Sequence, residues 1–370
     1  MSGAGRVGVG VIGAGNISTQ YLTNLTVFPD LEVLFVADID LERAKAQAEA
    51  FGVPGSGTVE ELLAHPGIEI VVNLTIPAAH VEVARRALEA GKHVWTEKPF
   101  SLDRDSGVEL LALAKEKGLR VATAPDTFLG AGLQTAQRVI ESGAIGTPLS
   151  AITLFQGPGP EGWHPNPEFF FAPGGGPLLD MGPYYITTLV QNLGPVESVT
   201  AVSSQARATR VVGSGPREGT EFPVTIPTHI GGLLRFESGA SAQGVWSFES
   251  SMLRMGFVEI NGSEGTLVLP DPNMHDGEVT LYRRGEKEPE VIPATGSTFS
   301  RGTGVLELAR AIRADQPEAA SGDLAYHVTD VMLSLLEAAE TGEKVLVEST
   351  VAPRPAVPED WDPSEATLVR

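Results

Sequence analysis

Short apolar runs and helix-length segments alternate along the first 125 residues, and this alternation restricts the fold more than any other feature. Apolar runs at residues 6–12, 31–37 and 68–74 are each followed by a segment with helical patterning, and two further runs begin at His93 and Leu119. Parallel strands need crossover connections of this kind, which are usually helices. The pattern predicts an α/β domain over residues 1–125 with a doubly wound parallel sheet.

A glycine-rich turn follows the first apolar run. Gly13, Gly15 and Ser18 form the pattern G-x-G-x-x-S, in which the first glycine permits a tight turn and the second permits close approach of a pyrophosphate. Serine stands where a third glycine is usual. Glycine-rich turns are common, so the motif gains weight from the strand before it and the helix expected at residues 19–26. The backbone of Gly13, Gly15, Asn16 and Ile17 is therefore predicted to bind a dinucleotide.

Asp38 ends the second apolar run, about 20 residues after the glycines, where an acid commonly binds the adenosine ribose of a dinucleotide. Arg43 lies one helical turn further on, but no arginine directly adjoins Asp38. The sequence favours NAD, with NADP possible. An alternative interpretation, compatible with the first, is that Asp38 caps the helix expected at residues 41–51.

The stretch from His93 to Pro99 is predicted to be a strand that ends on Glu97 and Lys98. Ligands of open α/β sheets bind at the carboxyl ends of the strands. A lone Glu-Lys pair is more often a solvated loop pair. The upstream dinucleotide pattern favours a functional interpretation of Lys98.

After Pro125 the pattern changes to alternating, strand-like segments. We therefore predict a second, α+β domain over residues 126–370, with a mostly antiparallel sheet and flanking helices. The expected strands lie at residues 149–156, 196–209, 224–235, 240–248, 257–261, 266–269 and 278–283. The proline-rich and acidic tail at 352–370 is expected on the surface.

A glycine run, residues 174–176, precedes a predicted helix at residues 177–192 in the second domain. Asp180 and Tyr184 are four residues apart, so they share one face of that helix. The simpler interpretation is an acid favoured by the helix dipole and a core tyrosine.

Composition excludes several classes of function. The net charge is −21, which disfavours binding to nucleic acid. The chain has no cysteine, and its seven histidines show no metal-ligand spacing, so we expect no disulfide and no metal site. The apolar run at 7–14 is too short to span a bilayer, and we expect a cytoplasmic protein without membrane association.

Four motifs together resemble the Gfo/Idh/MocA family of oxidoreductases, which includes glucose–fructose oxidoreductase and inositol dehydrogenase. They are Gly13-Ala-Gly15-Asn-Ile, then Thr75-Ile-Pro77 with His80, then Glu97-Lys98-Pro99, and Gly174-Gly-Gly-x-x-x-Asp180-x-Gly182-x-Tyr184. The resemblance spans residues 7–185. It implies a Rossmann domain followed by an open-faced sheet that often mediates oligomerisation, hence a homodimer or homotetramer.

The resemblance also implies the site residues. Catalytic roles carry over to Lys98, Asp180 and Tyr184, and many family members have histidine at the last of these positions. Contacts to the cofactor carry over to Thr75, Pro77, His80, Glu97 and Lys98. A departure lies at residues 125–129, where many members carry asparagine and arginine, and it affects the expected substrate rather than the reaction class.

Oxidation of an alcohol needs a hydride acceptor and a proton acceptor. A free tyrosine, with a pKa of about 10, is a weak base near neutrality, and a lysine ammonium beside it would lower that pKa. Lys98, Asp180 and Tyr184 would suit the hydroxyls of a sugar, polyol or cyclitol. Trp163, His164 and Trp246 are candidates to contact a sugar ring, and packing roles are equally compatible with their sequence context.

Three hypotheses follow for the function. The first is an NAD(P)-dependent dehydrogenase or reductase that acts on a sugar-like alcohol or ketone. The second is a glycosidase that uses tightly bound NAD for transient oxidation. The third is a non-catalytic NAD-sensing protein. Such a protein would not need a proton acceptor, so the presence of Lys98, Asp180 and Tyr184 together argues against it.

Overall fold

The computed structural model describes residues 5–368, and the chain divides into two compact units. The first comprises Met1–Gly130, Gly296–Tyr326 and Val357–Arg370, and the second comprises Ala131–Thr295 and His327–Ala356. The expected division into 1–125 and 126–370 differs from this one. Two segments from the C-terminal part of the chain, residues 296–326 and 357–370, belong to the first unit. Sequence patterning could not indicate this return.

The first unit contains a parallel sheet with helices between successive strands. Within the described residues its strands are β1 (Val7–Ile12), β2 (Leu31–Ala37), β3 (Gly55–Gly57), β4 (Ile70–Asn73), β5 (His93–Thr96) and β6 (Val121–Thr123). The helices between them are α1 (Asn16–Leu25), α2 (Leu41–Phe51), α3 (Val59–Ala64), α4 (His80–Glu89) and α5 (Arg104–Lys117). The predicted Rossmann architecture is confirmed.

The strand order places the carboxyl ends of the central strands side by side. The order is β3-β2-β1-β4-β5-β6, and every pairing is parallel. The order reverses between β1 and β4, and ligands of such sheets bind at this switch point. The loops after β1, β2, β4 and β5 therefore share one edge of the sheet.

The helix ends follow the local sequence. Thr58 and Glu61 form a capping box at the start of α3. Gly118 ends α5 in the left-handed conformation, at φ 64°. Helix α1 begins at Asn16 rather than at residue 19, because Gly15 serves as its N-cap.

The second unit is built on a larger sheet. In chain order, the remaining described α-helices and strands are α6 (Ala131–Glu141), β7 (Pro148–Gln156), α7 (Pro177–Leu193), β8 (Val196–Ser204), β9 (Thr209–Val211), β10 (Glu221–Pro223), β11 (His229–Phe236), β12 (Ser241–Ser247), β13 (Arg254–Gly262), β14 (Gly265–Leu269), β15 (Val279–Arg283), β16 (Glu290–Ile292), α8 (Thr303–Ala314), α9 (Gly322–Thr341) and β17 (Val345–Leu346). Of these, α8 and the start of α9 belong to the first unit.

Over the described residues, nine strands pair in the order β16-β15-β14-β13-β7-β12-β11-β8-β17. The pairing is antiparallel except between β7 and β12, so the prediction of a mostly antiparallel sheet holds. The expected strands at 196–209 and 224–235 are each interrupted. Strands β9 and β10 pair with each other as a separate hairpin, and β11 begins only after Pro227, which has no N–H to donate to a strand ladder.

Helix α7 forms the centre of the second unit. Nearly all of its residues are buried, and it packs against β7, β11 and β12. The helix continues through Pro183, where only the carbonyl of Leu179 loses its helical partner because proline lacks an N–H. Tyr185, which is fully buried, accepts a hydrogen bond from the backbone N–H of Gly256 at 2.8 Å.

The C-terminal tail is mostly exposed, as expected, and it is anchored at the buried Asp30. Asp30 is fully buried, and its carboxylate accepts hydrogen bonds from the hydroxyl of Thr367 and the backbone N–H of Leu368, both at 2.7 Å. The guanidinium of Arg310, on α8, pairs with Asp30 at 2.9 Å and donates to the carbonyls of Asp362 and Glu365. Sequence patterning missed these contacts because they join distant residues.

His93 makes the stability of the protein depend on pH. Burial, together with the charge of Arg120, lowers the pKa of His93 from 6.5 to about 4, and its Nδ1 accepts from the backbone N–H of Arg120 at 3.0 Å. Between pH 4 and pH 6.5 the imidazole of His93 binds a proton in the unfolded chain but not in the folded protein. Stability contributed by His93 is therefore present near pH 7 and lost as the pH falls.

We predict that His93 accounts for roughly 2 kcal/mol of the stability lost between pH 7 and pH 5. Urea unfolding at both pH values, on wild type and His93→Gln, measures this. Glutamine retains an acceptor for Arg120 but does not titrate, so the variant should lose less stability by about that amount. Equal losses in the two proteins would contradict the assignment.

Candidate active site

The glycine loop after β1 has the geometry expected of a phosphate-binding turn. Gly13 has φ 103°, and a Cβ built on it would lie 2.6 Å from the carbonyl oxygen of Leu74. Gly15 is the N-cap of α1 without a capping side chain, and a Cβ built on it would meet no atom within 4 Å. The backbone at this helix N-terminus therefore faces open space. Ser18 is buried, and its hydroxyl donates to the carbonyl of Gly15 at 2.6 Å.

Asp38 holds the same loop from the end of β2. Its buried carboxylate accepts hydrogen bonds from the backbone N–H groups of Ala14 at 2.7 Å and Asp40 at 2.9 Å. The alternative role of Asp38 as the helix cap is wrong, because Asp40 accepts from the backbone N–H of Arg43 and caps α2. The guanidinium of Arg43 pairs with Asp40 at 3.2 Å.

The turn after β4 is fixed by polar groups. The ring nitrogens of His80 lie 2.9 Å from the carbonyl oxygen of Pro99 and 3.0 Å from that of Thr75. Burial lowers the pKa of His80 and leaves its side chain almost no exposed surface. His80 therefore joins the turns that carry Thr75 and Pro99, and this buried position does not suit the predicted direct contact with the cofactor. Asn73, which sequence analysis missed, accepts from Thr75 and donates to the carbonyl of His80.

Pro77 begins a short 3₁₀ turn, Pro77–Ala79, directly before α4. Its missing N–H costs nothing there because the first donors of a helix have no internal partner. The neighbouring Ile76 is 70% exposed. Thr75, Pro77 and Ile76 thus lie at the sheet edge where the family resemblance places the dinucleotide.

Glu97 is buried behind Lys98. Its carboxylate accepts from the hydroxyl of Tyr21 at 2.8 Å and from the backbone N–H of Lys98 at 3.0 Å, and the indole N–H of Trp95 donates to Tyr21. Burial and the Glu97 carboxylate raise the pKa of Tyr21, which therefore stays a hydrogen-bond donor. Glu97 thus fixes the backbone at Lys98, and the half-buried Lys98 side chain follows β5.

This unit fits a bound dinucleotide. The open backbone at Gly15 and the N-terminus of α1 could hold a pyrophosphate, and the acceptor oxygens of Asp38 could hold ribose hydroxyls. Lys98, two strands away from the glycine loop in the order β1-β4-β5, lies at the same sheet edge.

The second unit holds the other predicted residues. Asp180 lies in the first turn of α7 and is partly exposed, whereas Tyr184, one turn later, is 7% exposed. Trp163 is 68% exposed and His164 is half-buried, so both remain available to a ligand. Trp246 is fully buried, and its proposed contact with a sugar is wrong because it lies on the inward face of β12 with Ala242 and Gly244.

Residues 5–368 contain neither a metal-binding cluster nor a membrane-spanning helix. No group of three or more acidic or histidine residues in this range could hold a metal ion. None of the described helices is long and apolar enough to cross a membrane.

The fold and the glycine loop are typical of dinucleotide-binding proteins, and comparison with known proteins identifies the family. Residues 7–124 match the oxidoreductase family with an NAD-binding Rossmann fold, Gfo/Idh/MocA, and residues 133–268 match the Gfo/Idh/MocA C-terminal domain. The chain belongs to the Gfo/Idh/MocA family of NAD-dependent oxidoreductases. This assignment confirms the predicted fold, enzyme class and cofactor.

Similar proteins are named as enzymes of sugar chemistry. A 1,5-anhydro-D-fructose reductase of Ensifer adhaerens is 30% identical over 92% of this chain and 98% of its own length. A dTDP-3,4-didehydro-2,6-dideoxy-α-D-glucose 3-reductase of Actinomadura kijaniata is 30% identical over 92% and 97%. The structure of levoglucosan dehydrogenase with NADH and L-sorbose has a TM-score of 0.82 over 93% of this chain and all of that one. Its identity is 21%, which shows a shared fold.

The two loop glycines allow binding and folding to be separated. Gly15→Ala should weaken NAD binding at least about tenfold, because the methyl group would occupy the space beside the backbone, while stability stays within about 0.5 kcal/mol of wild type. Gly13→Ala should instead destabilise the protein by roughly 1–3 kcal/mol, because of its positive φ and its contact with Leu74.

Calorimetric titration with NAD and thermal unfolding of both variants test this pair. If Gly15→Ala binds NAD as tightly as wild type does, the pyrophosphate does not approach that backbone.

Proposed function

We propose that this enzyme transfers a hydride between nicotinamide and a hydroxyl or ketone of a sugar, polyol or cyclitol. The observation that carries the proposal is the position of Lys98, at the carboxyl end of β5 and on the same sheet edge as the glycine loop. The names of the similar reductases support a sugar ketone as the first substrate to examine.

Each of the three predicted catalytic residues has a distinct role in this proposal. The ammonium of Lys98 donates a hydrogen bond to the reacting oxygen and stabilises negative charge on it. Asp180 accepts a hydrogen bond from that hydroxyl or from the adjacent one. The phenolate of Tyr184 accepts the proton in oxidation, and its phenol returns the proton in reduction. Bound NAD supplies the hydride acceptor, and NADH the hydride donor.

Substitution of these residues tests the mechanism. Lys98→Met and Tyr184→Phe should each lower kcat by roughly 10²–10⁴-fold, because each removes a group that acts on the transferred proton or the charged oxygen. Turnover is measured as NADH consumed with 1,5-anhydro-D-fructose, and as NADH formed with a panel of monosaccharides, anhydrosugars and inositols at mildly alkaline pH.

Matched controls distinguish chemistry from folding. Lys92→Met removes a lysine that bonds only to the carbonyls of His65 and Ile68 in the described contacts, and Tyr185→Phe removes the neighbouring phenol that accepts from Gly256. Both should keep near wild-type kcat. Near wild-type rates in Lys98→Met and Tyr184→Phe would reject the mechanism. No turnover across the panel, in protein that binds NAD, would favour the glycosidase or sensor hypotheses.

The proposal includes a homodimer or homotetramer formed through the outward face of the large sheet. This face carries partly exposed apolar side chains along several strands: Ile152, Leu154, Val202, Leu233, Phe257, Tyr282 and Val291. Contiguous apolar surface of this kind usually marks an interface.

Leu233→Glu should therefore lower the molar mass measured by light scattering towards that of a monomer. Leu233 is 56% exposed, and Val27→Glu is a control at a similarly exposed apolar residue of the first unit, where no change is expected. An unchanged mass in Leu233→Glu, or a monomeric wild type, would contradict this interface.

A further inference from the structure

Residues 158–171 are here called the aromatic loop. They carry a partly exposed cluster of four aromatic side chains, Trp163, His164, Phe169 and Phe170. Trp163 and Phe169 are 68% and 51% exposed, and the ring of His164 lies 5.3 Å from that of Phe169 and 5.4 Å from that of Phe170. Aromatic side chains that pack on one another yet stay exposed are typical of ligand-binding surfaces.

The aromatic loop is joined to the helix that carries Asp180. The backbone N–H of Gly176, the N-cap of α7, donates to the carbonyl of Phe170 at 2.8 Å. A Cβ built on Gly175 would lie 2.2 Å from the carbonyl oxygen of Phe169, so the glycine run allows the loop to pack closely. The position of the loop is therefore tied to the start of α7.

Arg210, on β9, anchors the loop through a side chain that is 1% exposed. Its guanidinium donates to the carbonyl of Pro158 at 2.8 Å and pairs with Glu161, so it contacts the start of the loop. The same guanidinium lies 4.9 Å from the centre of the Phe171 ring, at the end of the loop. One buried side chain therefore contacts both ends of the aromatic loop.

The other contacts of Arg210 attach it to the segment that follows β12. It donates to the carbonyl of Phe248 at 2.9 Å and pairs with Glu249 at 2.8 Å. Burial opposes ionisation of Glu249, but the hydrogen bonds from Thr228 and Arg210 outweigh it and lower the pKa of that carboxyl. The ion pair therefore persists at neutral pH.

The hairpin of β9 and β10 adds backbone contacts to both ends of the loop. The N–H of Gly213 donates to the carbonyl of Glu161 at 2.8 Å, and the N–H of Thr225 donates to that of Phe171 at 3.0 Å. In addition to these backbone contacts, the side chain of Arg217 pairs with that of Glu168.

We propose that Arg210 is a positioning residue that holds the aromatic loop where Trp163 and His164 contact the sugar ring, so that the β9–β10 hairpin sets substrate affinity. This inference rests on the proposed function. The loop carries no part of the proton transfer, so its displacement should weaken substrate binding and leave the chemical step intact.

Two substitutions of different severity test the proposal. Arg210→Lys keeps a positive charge but cannot form the same forked contacts, and it should raise KM for 1,5-anhydro-D-fructose about tenfold or more, with kcat within about twofold. Arg217→Gln removes a half-exposed ion pair at the loop without disturbing the core, and it should raise KM about threefold. The Kd for NADH should be unchanged in both variants.

A second measurement reports on the loop itself. Chymotrypsin should cleave after Trp163 or Phe169 faster in both variants than in wild type. Arg85→Gln is a control, because Arg85 also forms exposed pairs, with Glu82 and Glu89 on α4. It should change neither KM nor the cleavage rate.

The outcomes separate this inference from the proposed function. If wild type turns over substrate and Lys98→Met does not, the function stands. An unchanged KM in Arg210→Lys, despite faster cleavage of the loop, would then overturn only the role of the loop in binding. Cleavage that is not accelerated in Arg210→Lys would overturn the positioning role of Arg210. Wild type without turnover on the whole panel would overturn both.

Discussion

The cofactor site depends on the hydrogen bond between the carboxylate of Asp38 and the backbone N–H of Ala14. A buried carboxylate needs donors, and here backbone groups provide them, so the loop after β1 is fixed to the end of β2. That attachment leaves the backbone at Gly15 open at the start of α1. The same principle recurs at Glu97, whose buried carboxylate fixes the backbone of Lys98. Buried acids thus set the shape of the sheet edge that carries the glycine loop and Lys98.

The features that could be predicted from sequence depend on local pattern. Alternating strands and helices predicted the parallel sheet, and the position of Gly13 predicted the tight turn after β1, because its positive φ favours glycine. The alternative interpretation placed the cap of α2 at Asp38, whereas Asp40 forms it, since two acids two residues apart satisfy the same pattern. The burial of Trp246 was detectable, because Ala242 and Gly244 share its face of the strand.

The features that were missed join residues far apart in the chain. Tyr21 bonds to Glu97 over 76 residues, and Arg210 pairs with Glu161 over 49 residues. No periodic pattern in the local sequence indicates such pairs. Buried charged residues also contradict the general expectation that Arg and Glu lie on the surface. The expected division of the chain leaves out the returning segments for the same reason, because they are recognisable only by the groups that they contact.

The buried carboxylate of Asp30 has a consequence for the order in which the protein forms. Its partners Arg310, Thr367 and Leu368 follow it by 280, 337 and 338 residues, so it gains them only when long stretches of chain have been closed. The first unit takes most of its residues from Met1–Gly130, yet its buried acid is satisfied by residues of the two returning segments. Until those segments dock, burial of the Asp30 carboxylate is unfavourable. The first unit therefore cannot be complete before residues that follow parts of the second unit in the sequence have joined it.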